Sequence, residues 1–166
     1  MKTKFLSTLV ASFALLAACN DGAQPAAETP AAETEVSWPE GAPRYSSRDE
    51  LPAPWNEADL SAGQAAFEAN CVRCHSVSPS VPSTLGPNLY GVFARAPGGL
   101  ETHDYSPAMD EFAATTDMTY WIPEEVDEWL ANPRSYLPQS AMFFDGLADE
   151  TQRRDLIGWL MIESSK

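Results

Sequence analysis

"AGQAAFEANCVRCHSV", residues 62–77, runs a helical pattern into two cysteines three apart, with a histidine directly behind the second. Ahead of the cysteines, Gly63, Ala66, Phe67 and Asn70 recur at helical spacing, and Ser61 or Asp59 stands where a cap is needed. Four chemistries use such residues: a disulfide, a redox-active dithiol, a zinc site and covalent haem attachment. In an exported chain a Cys71–Cys74 disulfide is the first to consider. A thioredoxin-like dithiol expects a strand before the motif, and a helical pattern stands there instead. Zinc would draw on Cys71, Cys74, His75 and His103, but adjacent ligands suit a tetrahedral site poorly and no second close pair follows. Haem attachment gives the spacing a physical reason. On a helical turn, positions i, i+3 and i+4 share one face. Cys71 and Cys74 would form two thioethers while His75 reaches the iron from the same side.

Iron held by His75 has a second axial position to fill. The candidates are His103 and the five methionines. Met1 leaves with an N-terminal leader. Met161 lies among Leu156, Ile157, Trp159 and Leu160 and reads as core filler. Met109 and Met118 sit in a polar connecting stretch. Met142 lies in "NPRSYLPQSAMFFDG", residues 132–146, a proline-punctuated loop that can deliver a thioether without the constraint of helical direction. It is the favoured ligand, and His103 is the alternative.

The chain opens with "MKTKFLSTLVASFALLAAC": two lysines, an apolar run too short to span a bilayer, and small residues before Cys19. Leu16-Ala17-Ala18-Cys19 resembles the lipobox of bacterial lipoproteins, which implies a leader over 1–18, a lipid on Cys19 and a periplasmic, membrane-anchored protein. Residues 19–56 are rich in Ala, Pro, Glu and Thr and read as a disordered tether, with Trp55 packing on the domain edge. As a flexible coil its roughly 37 residues reach about 35 Å, and as polyproline II about 110 Å. Residues 57–166 remain as one small domain. The whole chain carries a net charge of −14. From Glu57 onward there are 17 acids against six Lys and Arg, and Lys166 is the only lysine. This excludes a basic nucleic-acid footprint. Electrostatically steered partners would present positive patches.

Five segments in order resemble a class I c-type cytochrome of the mitochondrial and bacterial c2 sort: "AGQAAFEANCVRCHSV", "LGPNLYGVFAR", "DYSPAM" with Trp121, "WLANPRSYLPQSAMFFDG" and "RRDLIGWL". The resemblance covers essentially all of 57–166. It implies an all-α cytochrome c fold of four to five helices wrapped around one covalently attached haem c. Cys71 and Cys74 would be the thioether anchors, and His75 and Met142 the axial ligands. Pro87 would lend its carbonyl to the His75 ring. Arg95, Tyr105 and Trp121 would surround the haem propionates. Gly63 and Phe67 would pack one helix against Leu156 and Trp159. The chain also departs from the family. Trp129 stands where a tyrosine commonly bonds the methionine sulfur, leaving open whether the indole N–H takes over. Gln139 replaces a frequent glycine. Residues 106–120 run longer than in short members, and the docking ring of lysines is missing.

The remaining patterns are helical. Ser106 and Pro107 open one helix, and Pro123 opens another that stops by Pro133. Asp149 and Gln152 stand in capping-box spacing before a third, whose stripe is Leu156, Trp159 and Leu160. The resemblance implies an electron carrier rather than an enzyme. Its expected partners are a quinol-oxidising complex and a terminal oxidase or reductase, or alternatively a periplasmic dehydrogenase. A ligand-binding or peroxidase-like haem protein follows only if Met142 is not on the iron. Nothing demands more than a monomer.

Overall fold

The computed structural model describes residues 41–166. The regular structure there is entirely helical, with no strand among the described residues. The leader, Cys19 and the first part of the tether lie outside them.

Two helices form the frame. The first, α1, spans Leu60–Asn70. Asp59 caps it, its carboxylate accepting from the Ser61 and Ala62 amides at 2.9 and 3.1 Å. The last, α5, spans Glu150–Glu163, and Asp149 caps it by accepting from the Gln152 amide at 2.9 Å. They meet at Gly63, where a Cβ would stand 2.1 Å from the Asp155 carbonyl oxygen and 2.7 Å from the Trp159 Cβ. Only glycine permits that approach. One turn on, the Phe67 and Trp159 rings lie 4.9 Å apart. Asp155 is buried, ion-paired with Arg154 at 3.0 Å, and accepts from the Asp59 amide at 3.1 Å. This fastens the start of α1 to the middle of α5. Leu156, Ile157, Leu160 and Met161 then fill the core beside Phe67, Val126 and Leu130.

Three helices close the other side: α2, Pro107–Thr115; α3, Pro123–Ala131; and α4, Pro133–Tyr136. Each carries proline in its first turn, where the missing N–H costs nothing. The short α4 lies within a stretch the sequence reads as loop. Asn132 makes the turn by accepting from the Ser135 amide at 3.1 Å.

Packing also starts earlier than residue 57. Single 3-10 turns at Arg48–Glu50 and Trp55–Glu57 bring Leu51 and Trp55 into the core, each 4% exposed. The Tyr45 carbonyl accepts from the Ser165 hydroxyl at 3.1 Å. A tether-like composition hides this because two large apolar side chains suffice to hold the segment, given a flat seat at Gly158. A Cβ there would meet Ala58 Cβ at 2.5 Å.

Candidate functional site

Between α1, α5 and the α3–α4 side lies a cavity of about 300 Å³. It brings together Cys71, Cys74, His75, Pro87, Arg95, Tyr105, Trp121 and Met142. Cys19 is outside the described residues.

The histidine wall grows directly from α1. Beyond Asn70 the chain makes one more turn, the Cys74 and His75 amides donating to the Cys71 carbonyl at 3.0 and 2.9 Å. Residues 76–91 then fold back, and the Leu85 and Gly86 amides donate to the Cys74 carbonyl. This sets the Pro87 carbonyl 2.8 Å from His75 Nδ1. A carbonyl only accepts, so Nδ1 carries the hydrogen and Nε2 keeps its lone pair for a metal. Burial pushes the His75 pKa down, further favouring the neutral, ligating form. Gly86, which the sequence reading passed over, makes room for the ring. A Cβ there would stand 2.2 Å from His75 Cε1. Its signal was its place immediately before Pro87.

The methionine wall is assembled from separate helices. Trp129 of α3 donates its indole N–H to the Met142 sulfur at 3.1 Å. The bond the resemblance left open is therefore made, by a different side chain. Trp129 stands edge-on to Tyr136 of α4, centroids 5.5 Å apart, and to Trp121 at 5.8 Å. Tyr136 donates to Glu125 one turn before Trp129, and burial with that carboxylate raises the phenol's pKa. Buried Arg153 pins the far end of the loop. It donates to the Leu147 and Ala148 carbonyls at 2.8 and 3.1 Å and pairs with Asp127 of α3 at 2.8 Å. Neither Glu125 nor Arg153 carries a motif that points to this role.

Arg95 donates to the Asn88 and Tyr90 carbonyls at 2.7 and 3.0 Å, and its own carbonyl accepts from the Trp121 amide at 3.1 Å. Five N–H donors leave some for an acid in the cavity. Tyr105 stacks edge-on with His103, centroids 4.7 Å apart, and His103 also lines the cavity. Met109 is a correction: it is not in a polar connection but buried in α2 with its side chain on the cavity. Met118 and Met161 do not line it.

The competing chemistries fit poorly. Cys71 and Cys74 are not joined. Burial, with Cys74 beside it, pushes the Cys71 thiol up to about 11, the opposite of an activated redox thiolate. Among the described residues no three His, Cys, Asp or Glu side chains are grouped to hold a metal ion.

No protein-family model matches the chain. Curated relatives do. It is 31% identical to cytochrome c of Kluyveromyces lactis over 111 residues, 67% of this chain and 96% of that protein. It is 35% identical over 108 residues to cytochrome c 2.1 of Caenorhabditis briggsae, covering 65% of this chain and 91% of the relative. Cytochrome c of Ginkgo biloba is 33% identical over 108 residues, with the same coverage. The chain belongs to the cytochrome c family. It is a class I cytochrome c and an electron carrier, and its cofactor is one covalently attached haem c.

The residues of the cavity fit that group. Two thiols on one turn border it, a neutral imidazole and a thioether line it, Gly86 leaves space against the imidazole, and the lining is mostly apolar. Bound haem c supplies a reversible one-electron couple. The chain's own part is to orient the imidazole through Pro87 and the thioether through Trp129, and to keep water from the site with Phe67, Leu156 and Leu160.

Proposed function

We propose that this cytochrome is a membrane-anchored periplasmic carrier with His75 and Met142 as axial ligands of the haem iron. It passes single electrons from a quinol-oxidising complex to a terminal oxidase or reductase. The observation that carries the ligation is the pair of oriented donors, His75 against Pro87 and Met142 against Trp129, on one cavity. An imidazole and a thioether together favour ferrous iron and raise the reduction potential. With both axial positions taken, no site is left for a substrate. The anchoring and the compartment rest on Leu16-Ala17-Ala18-Cys19 behind a short apolar run. A lipid there would hold the head near membrane partners and raise its effective concentration.

An optically monitored redox titration of the full chain, matured with haem, tests the ligation. The expected result is one single-electron wave at high positive potential, with a reduced form that does not bind carbon monoxide. A low potential with carbon monoxide binding would remove Met142 from the iron. Mass spectrometry of the exported protein tests the anchor: the mature N-terminus is expected to be an acylated Cys19, and an unmodified end at another residue overturns it.

A second reading, a dedicated acceptor for a periplasmic dehydrogenase, is favoured by one observation. From Glu57 onward the chain is acidic, and Lys166 is its only lysine there. Faster reduction by a purified dehydrogenase than by a quinol-oxidising complex would select it.

A further inference from the structure

The acidic charge is not spread evenly. Residues 76–90 contribute to the cavity lining on the histidine side and 135–144 on the methionine side, and neither stretch contains an Asp, Glu, Lys or Arg, whereas residues 95–106, which also contribute, carry Arg95, Glu101 and Asp104. Charged residues make up 20% of the chain, so 25 residues at that share would carry about five. Two large apolar side chains stand out of these two uncharged stretches. Leu85 is 78% exposed and Phe143 is 90% exposed, and both line the cavity, one on each wall. Val81, 51% exposed, lies on the same histidine-side stretch. The charges that flank the two stretches are Arg73 and Arg95 on one and Arg134 and Asp145 on the other, and the last two pair with each other at 3.6 Å.

Single exposed apolar residues are ordinary, but two that line one cavity from two separate uncharged stretches mark a contact surface. We infer that Leu85 and Phe143 form an apolar docking lip at the cavity mouth. Its occupant is a redox protein whose own electron-entry or electron-exit point is surrounded by an uncharged, apolar surface. The charge pattern argues for that occupant. A partner with a basic ring centred on the mouth would bury cations against a rim that offers no carboxylate in either stretch, and unpaired buried charge is costly. The acidic remainder of the domain lies outside the contact, where it steers approach and affects on-rate more than the bound complex. The inference rests on the electron-carrier reading and names the kind of surface that carrier meets.

Protein-film voltammetry tests it, using the full haem-loaded chain with Cys19→Ser so that no acyl chain reaches the film. Gold coated with a methyl-terminated alkanethiol stands in for the apolar partner, and an amine-terminated film for a basic one. The expected result is a reversible wave on the methyl film whose coverage is unchanged between 10 mM and 1 M salt, as for contacts without ion pairs. Leu85→Gln with Phe143→Gln is expected to cut that coverage at least tenfold while the solution potential stays the same. A wave confined to the amine film and lost in high salt would overturn the lip in favour of ionic docking. Equal coverage by variant and parent would overturn it too. Two further outcomes reassign the surface and so also overturn the proposal. One is a concentration-dependent dimer abolished by the variant; the other is variant-sensitive flotation with neutral phosphatidylcholine vesicles. Absence of any solution wave would instead remove the electron-carrier reading beneath it.

Discussion

The wall that carries His75 is made from consecutive chain, residues 71–87, whereas the wall that carries Met142 is held by side chains from α3, α4 and α5. On the first wall the restraints are backbone groups a few positions apart: the Cys71 carbonyl, the Cys74 carbonyl, the Pro87 carbonyl and the bare Cα of Gly86. On the second they are an indole, a phenol, a carboxylate and a buried guanidinium that meet only after the helices have packed. A short covalent segment orders its imidazole at little entropic cost, since the loop it closes is small. A loop between helices needs several fasteners, and each can be replaced by a different side chain that supplies the same bond, as Trp129 does.

The largest effect is expected from Gly86→Ala. The added methyl would stand within 2.8 Å of three His75 ring atoms, so the ring or the backbone must shift. A loss of about 3 kcal/mol is expected from overpacking at so rigid a place. It would be read by thermal unfolding together with a fall in the fraction of chain that acquires covalent haem. Normal loading and stability would show that the histidine wall tolerates strain and would blur the contrast with its neighbour.

Arg153→Ala attacks the other wall. It strands the Leu147 and Ala148 carbonyls and leaves Asp127 unpaired, though Asp127 retains 37% of its side-chain exposure. About 2 kcal/mol of stability is expected to go, below the range for a fully buried pair. Added imidazole should also displace Met142 at concentrations at least tenfold lower than in the parent, while haem attachment at Cys71 and Cys74 is unaffected. Equal imidazole sensitivity would mean that Arg153 holds the fold alone and not the loop.

Trp129→Phe removes one hydrogen bond and keeps most of the ring. The bond draws electron density from the thioether, so its loss should stabilise ferric iron and lower the potential. At roughly 1 kcal/mol for the bond, the fall is about 40 mV. An unchanged potential would separate the Trp129 contact from the electronics of the site.

Gln139→Gly is the smallest of the four and runs the other way. Gln139 has φ of 70°, a left-handed conformation that costs a non-glycine residue more than glycine. Relieving it should raise stability by about 0.5 kcal/mol in chemical denaturation, net of the greater freedom of the unfolded chain. A decrease would show that the Gln139 side chain makes a contact worth more than the strain.

What the sequence determined by itself was the part governed by short-range rules. The helix before the cysteines, the Ser106 and Asp149 caps, the proline starts and the C-x-x-C-H turn all follow from residues within one or two turns of each other, while the choice of Asp59 over Ser61 as the first cap comes from the structure. The all-α class follows from them, and the C-x-x-C-H spacing points to Cys71, Cys74 and His75, whereas Pro87, Arg95, Tyr105 and Trp121 are implied by the family resemblance alone. Tertiary structure alone decided the rest. Burial of Leu51 and Trp55 depends on a bare Gly158 one hundred residues away in the chain, which no local composition records. The donor to the Met142 sulfur depends on α3 presenting Trp129 across the cavity. The roles of Glu125, Tyr136 and Arg153 depend on which helix faces which. Leu85 and Phe143 read in sequence as ordinary apolar residues, and only the fold exposes both and places both on one cavity. Hydrogen bonds and caps act over a few ångströms along the chain, while burial and facing are properties of the packed whole.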